Sequence, residues 1–326
     1  MPITTHRRPS VGSYPIWLGA RLLIRPLLKH WPLSATGLRS LYRFDGLAAR
    51  GPKPQGVVRE EMVLAGRPVE LIMPAQPTGR DSSAAVLYLH GGAFVVCGLG
   101  THRAVAARLS RSTQLPVFSL VYRQLPEAGV GTSAHDAYYA YRELVMERGY
   151  RHVVVAGDSA GGFLSGKIAE YAVRDGLPRP TAFVGFSPLL DLDLADNPDR
   201  SSRHDAYLPL TKMKQLAPLF DRGPIELAGV RSINELSAQI LPPTVVIWAE
   251  DEMLEPDIVT LVERIDAAGG EVEGHSFRWQ VHAFPAISSK HPETLQAVRI
   301  ASDFVLRAVH AATRDDDSRE LRGRAG

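Results

Sequence analysis

The chain has 326 residues, 45% hydrophobic and 22% charged, with a net charge of +2 and one cysteine, Cys97. This is the composition of a globular protein with one large core; it rules out an internal disulfide, argues against a thiolate metal cluster and gives no basis for nucleic-acid binding. The charge is uneven: residues 1–50 hold eight Arg and Lys against Asp45 alone, a balance of +7 that leaves −5 for the remainder.

The apolar run Ile16 to Trp31 carries Arg21, Arg25 and Lys29 at i, i+4 and i+8, which places them on one helical face. Those charges and Pro26 break it as a secretory signal and as a membrane span. Three readings are open: a cap helix over an active site, which is preferred, a helix lying on an anionic membrane surface, and a solvated structural helix. The Gly-Pro-Lys-Pro-Gln-Gly loop at 51–56 marks a boundary, so residues 1–55 are expected to form a cap or arm and 56–313 the main domain.

Val57 to Leu64 and Pro68 to Met73 read as a hairpin turning at Ala65-Gly66-Arg67, followed by a polar loop over 74–83. Ala85 to Leu89 is a buried strand running into the glycine-rich His90-Gly91-Gly92-Ala93 loop, and a helix covers His102 to Ser112. Leu115 to Tyr122 is a strand, Ser133 to Glu147 a helix and Val153 to Ala156 a strand. Gly157-Asp158-Ser159-Ala160-Gly161-Gly162 then forms the turn into a helix over Phe163 to Val173. Ala182 to Phe186 and Thr244 to Ala249 are further strands. The proline-punctuated segment 188–240 between them is expected to be a cap insertion. A helix over Pro256 to Ala268, a strand over Glu271 to Trp279 and a helix over His291 to Ala312 complete the domain. Residues 314–326 are charge-dense and expected to be a disordered tail. Strands alternating with helices specify an α/β fold with a mostly parallel central sheet flanked by helices, whose reactive loops gather at the carboxyl ends of the strands.

Three of those loops carry chemistry. Ser159 sits between a strand and a helix with glycines two residues before and two after, the G-x-S-x-G nucleophile elbow. A serine hydroxyl needs an adjacent base, and histidine is the usual one. In the order serine, acid, histidine, only His275, His282, His291 and His310 lie late enough. His282 alone occupies a loop directly after a strand. Glu250-Asp251-Glu252 follows the preceding strand and supplies the acid, with the choice among the three open. Backbone N–H groups of Ala160 and of the His90–Ala93 loop are the candidate oxyanion donors.

His90-Gly91-Gly92-Ala93-Phe94, Tyr122-Arg123 with Pro126-Glu127, the Gly157–Gly162 turn, Glu252-Met253-Leu254 with Asp257, and His282 together resemble the hormone-sensitive-lipase branch of the α/β-hydrolases over about residues 56–312. The resemblance implies an α/β-hydrolase fold with an N-terminal helical cap. It implies Ser159 as nucleophile, His282 as base, Glu252 as acid with Asp251 as the alternative, and Gly91, Gly92 and Ala160 as oxyanion donors. Ala93 stands where the family usually has a third glycine. The expected activity is that of a serine carboxylic-ester hydrolase working through an acyl-enzyme on short to medium acyl esters, with no cofactor and no metal. The alternatives are a non-catalytic small-molecule binding protein and a peripheral membrane lipid-ester hydrolase or acyltransferase. Expected partners are an ester or lipid substrate, a membrane surface touching residues 1–50, and a second copy in a homodimer. A reducing, cytoplasmic setting fits the single cysteine.

Overall fold

The computed structural model describes residues 2–77, 83–193, 197–288 and 290–325, with 319–325 described by backbone alone. Nine strands form one sheet: β1 (Ile3–His6), β2 (Val57–Leu64), β3 (Arg67–Pro74), β4 (Ala84–Leu89), β5 (Val117–Leu120), β6 (His152–Asp158), β7 (Phe183–Phe186), β8 (Thr244–Ala249) and β9 (Val272–Phe277). Their spatial order is β1-β9-β8-β7-β6-β4-β5-β3-β2. From β1 to β5 all neighbours are parallel, and the β2–β3 hairpin closes the far edge antiparallel. The central strands read as unbroken apolar runs because both faces are covered: every residue of β4, β6, β7 and β8 is buried.

The helices are α1 (Ser13–Gly19), a π turn over Ala20–Ile24, α2 (Arg25–His30), α3 (Ala35–Ala48), α4 (Leu99–Thr113), α5 (Val130–Met146), α6 (Ala160–Arg174), α7 (Leu210–Leu216), α8 (Glu255–Ala267), α9 (Phe284–Ile287) and α10 (Pro292–Ala325). Helices α4 and α10 share one apolar layer of the core, built on Tyr88, Val154, Phe186, Ile247 and Phe304. On the opposite face α5, α6 and α8 share the other, with Leu87, Val155, Phe163 and Trp248. Alternation of Val154 and Val155 between the layers is the two-residue strand period at work.

The structure departs from the sequence expectations in two places. Ile3–His6 forms an edge strand beside β9, unforeseen because Ile-Thr-Thr-His, though β-branched, is too short to show a strand period. Helix α10 runs on to Ala325 through the stretch expected to be a disordered tail: no glycine or proline interrupts 293–322, so no stop signal ends the helix, and Asp316 lies 3.5 Å from His152. The loop expected over 74–83 falls partly outside the described residues, at 78–82, as does part of the 188–240 insertion, at 194–196.

Candidate active site

The elbow is a local consequence of close packing. Ser159 follows β6 and precedes α6 with φ 48° and ψ −119°, a left-handed conformation costly for a side-chain-bearing residue. The turn is pinned where the Ser159 N–H donates to Phe186 O at 3.0 Å and the Leu189 N–H donates to Ser159 O at 2.8 Å. A Cβ at position 161 would lie 1.8 Å from the Leu89 carbonyl oxygen, so only glycine lets α6 begin this close to β4. Ala160 opens α6, and its N–H has no acceptor within the helix.

His282 follows β9 and lies buried against Glu252, which follows β8. Its Nδ1 stands 3.2 Å from Glu252 Oε2, and the two side chains are 3% and 2% exposed. Burial alone would lower the His282 pKa, but the Glu252 carboxylate beside it raises it above the ordinary histidine value. Nδ1–H donates to Glu252, which leaves Nε2 as the nitrogen that can accept a proton. That buried Nε2 has no hydrogen-bond partner among the described residues. Asp251 is exposed, with its own N–H turned to Glu255 Oε2 at 2.8 Å, so the geometry pairs the histidine with Glu252 and leaves the alternative acid outside. Ser187, in a left-handed conformation after β7, accepts the Ala283 N–H at 3.0 Å and fixes the backbone next to the histidine.

Among the three expected oxyanion donors the structure separates one from the others. The Gly91 N–H is already engaged, donating to Asp158 Oδ1 at 3.0 Å. Gly92 and Ala93 line the cavity instead, at φ 113° and 53°. The cause is Asp158, buried beside Ser159. It also accepts from Tyr88 Oη at 2.8 Å and from His102 Nε2 at 3.1 Å. Burial opposes charge on this pair, yet each favours the charged form of the other: the Asp158 carboxylate raises His102 above the usual histidine value, and His102 holds Asp158 below the usual carboxylate value. His90, stacked on Tyr122 at 4.3 Å, is pushed down to about 4 by burial and stays neutral, its Nδ1–H donating to Gly91 O. Burial pushes the Cys97 thiol up to about 12, so it does not compete as a nucleophile.

A cavity of about 410 Å³ holds Ser159 and His282 in its wall. Much of the rest is apolar and comes from two excursions of the chain: Leu28, Trp31, Leu38 and Leu41 from the N-terminal arm, and Leu208, Met213 and Leu216 from the 188–240 insertion. Asp205 joins these pieces, a role that its sequence context does not advertise. Its carboxylate accepts the N–H groups of Tyr207, Leu208 and Met253 at 2.6, 2.7 and 2.9 Å, and its carbonyl accepts from Arg21 and Arg25. The one residue after Glu252 is thus tied to the insertion and, through it, to the arm.

Residues 86–286 match the α/β-hydrolase fold family. The chain is 31% identical over 315 residues to the carboxylesterase/phospholipase LipF of Mycobacterium tuberculosis, covering 92% of this chain and 83% of that one. It belongs to the hormone-sensitive-lipase-like α/β-hydrolases. The esterase LipU of the same organism is 30% identical over 73% of this chain and 81% of its own. A crystal structure of an esterase from the bacterial hormone-sensitive lipase family superposes with a TM-score of 0.80 at 25% identity, covering 93% of this chain and all of that one. As a member of this family the protein is a carboxylesterase/lipase-type serine hydrolase, and its substrates are esters.

Proposed function

We propose that this hydrolase works through an acyl-enzyme on Ser159, with His282 as base and Glu252 as its acid, on short to medium acyl esters. Ser159 Oγ attacks the ester carbonyl carbon while His282 Nε2 takes its proton. The carbonyl oxygen becomes an oxyanion and collects N–H donors from Gly92, Ala93 and Ala160. Return of the proton to the alkoxide releases the alcohol and leaves an ester on Ser159. Water, deprotonated by the same nitrogen, then displaces the serine and frees the acid. The observation that carries this reading is that His282, paired with the buried Glu252, lies in the same cavity wall as the strained Ser159. The apolar wall from the arm and the insertion supports an acyl chain as the group bound there.

The pH–rate profile tests it. His282 must be neutral to act and its pKa is raised, so kcat/KM should climb with pH and reach its midpoint above 6.5, the ordinary value. Glu252→Gln should lose about 10²–10⁴ in kcat/KM and move that midpoint down, because the carboxylate that favours the imidazolium is gone. Asp251→Asn should stay within about twofold of wild type. The reverse ranking, with both variants folded, transfers the role to Asp251; a flat profile removes His282 as the base.

A further inference from the structure

Two of the three basic residues of the N-terminal stripe, Arg21 and Arg25, do not face solvent. Arg21 donates to the carbonyls of Asp205 and Arg203 at 2.6 and 2.8 Å, and Arg25 donates to Asp205 O and to Ser202 Oγ, the latter at 3.1 Å. With its arginines turned inward, the helix shows its leucines to solvent: Leu18 is 52% exposed, Leu22 62%, Leu23 71% and Leu27 46%. On the neighbouring α3, Leu47 is 65% exposed and Phe44 45%, the latter packed edge-on to Trp31 at 5.9 Å. Scattered exposed apolar residues need no explanation, but these six, between Leu18 and Leu47 of one arm, do.

We propose that this outer face docks on an anionic lipid surface. The charge on the two helices decides the occupant. Lys29, Arg43 and Arg50 of the same arm are exposed as well. The arm's one carboxylate, Asp45, is turned away to cap α4, accepting the N–H groups of Gly100 and Thr101 at 3.2 and 2.8 Å. An arm of exposed leucines and cations, whose own carboxylate is turned away and whose neighbour Glu127 is neutralised by Arg39, repels a second copy of itself and attracts anionic headgroups. At one end Tyr14 and Trp17 each pack on Trp279 at 5.2 Å, supplying the aromatic edge suited to the headgroup level. The helix lies on the surface rather than crossing it, since no helix of the described residues is long and apolar enough to span a bilayer. Leu28 and Trp31 of the same arm, and Ala48 beside Leu47, line the cavity that holds Ser159. An ester lifted from the surface would therefore meet the cavity directly; this last step, but not the docking, rests on the esterase reading.

Vesicle flotation of the full chain carrying Ser159→Ala tests docking without lipid turnover, on phosphatidylcholine vesicles with and without phosphatidylglycerol. The expected result is binding to the anionic vesicles at least about tenfold tighter than to neutral ones and weakened by salt, with Leu22→Glu/Leu23→Glu losing about tenfold or more. Circular dichroism and Tm of the double variant, unchanged from the parent, exclude misfolding as the cause. Absence of binding to anionic vesicles, or equal binding by the double variant, overturns the proposal. So does a dimer in sedimentation that the double variant dissolves while vesicles bind neither form, which would give the face to a second copy. Because the readout is mass bound and not ester cleaved, a failure here leaves the catalytic reading intact, and the converse also holds.

Discussion

One carboxylate next to the nucleophile sets the geometry of the reacting site. Asp158 anchors the Gly91 amide, while the next two residues, Gly92 and Ala93, the proposed oxyanion donors, line the cavity. His102 holds Asp158 in turn, so a charge pair 5% and 3% exposed lies under the loop that meets the substrate. Removing one member of such a pair leaves the other buried and uncompensated, a loss of about 3–5 kcal/mol. His102→Gln should therefore lower Tm and cut kcat by about tenfold through a loosened oxyanion loop, with KM little changed. The sign with pH follows from the raised pKa of His102: its contribution is complete below 6.5 and fades as pH rises through the higher folded value. Melting curves of wild type and His102→Gln should thus differ most in mild acid and converge in alkali. A gap of the same size at both ends would show that the pair's charge is not what stabilises the loop.

At the scale of elements, the cavity is an assembly of three pieces distant in sequence, held at Asp205. The turn it builds presents Tyr207 and Leu208, whose N–H groups it accepts, and fixes the loop of the acid through Met253. A second tie holds the insertion to the sheet domain, where Arg200, with a fully buried side chain, meets Asp257 of α8 and lies 3.4 Å from Asp191. Asp205→Ala would strand three N–H donors at about 1–3 kcal/mol each. It should lower Tm substantially and raise KM for longer esters, and Asp205→Asn, which keeps one acceptor oxygen, should recover part of both. Thermal melts and steady-state kinetics on the two variants check this; an Asp205→Ala enzyme as stable as wild type would mean that the turn holds without its carboxylate.

Across the whole molecule, the parallel sheet gathers the loops after β4, β6 and β9 around one cavity, with the Glu252 loop after β8 behind His282, although Gly92 and His282 are far apart in the chain. Signals confined to a few neighbouring residues were legible beforehand: the apolar runs of β4, β6 and β8, the glycines around Ser159, and a lone histidine in the loop after a strand. What escaped depends on contacts between distant segments. No local pattern shows that the Gly91 amide is spent on Asp158, 67 residues on, or that Arg21 and Arg25 turn inward to a loop near residue 205. The edge strand β1 exists because β9 offers it a partner, and the final helix extends because nothing in its sequence stops it. The choice between Glu252 and Asp251 lay between these cases, since both follow β8 and only the burial of one against His282 distinguishes them. The proposed mechanism stands on Ser159 as the attacking group. Its most direct test is hydrolysis of a p-nitrophenyl ester series from acetate to palmitate by wild type and by Ser159→Ala. Turnover with an optimum at short to medium chains, falling by about 10⁴-fold or more in the variant, is the predicted result. Turnover that survives in a folded Ser159→Ala enzyme to within about tenfold would contradict it.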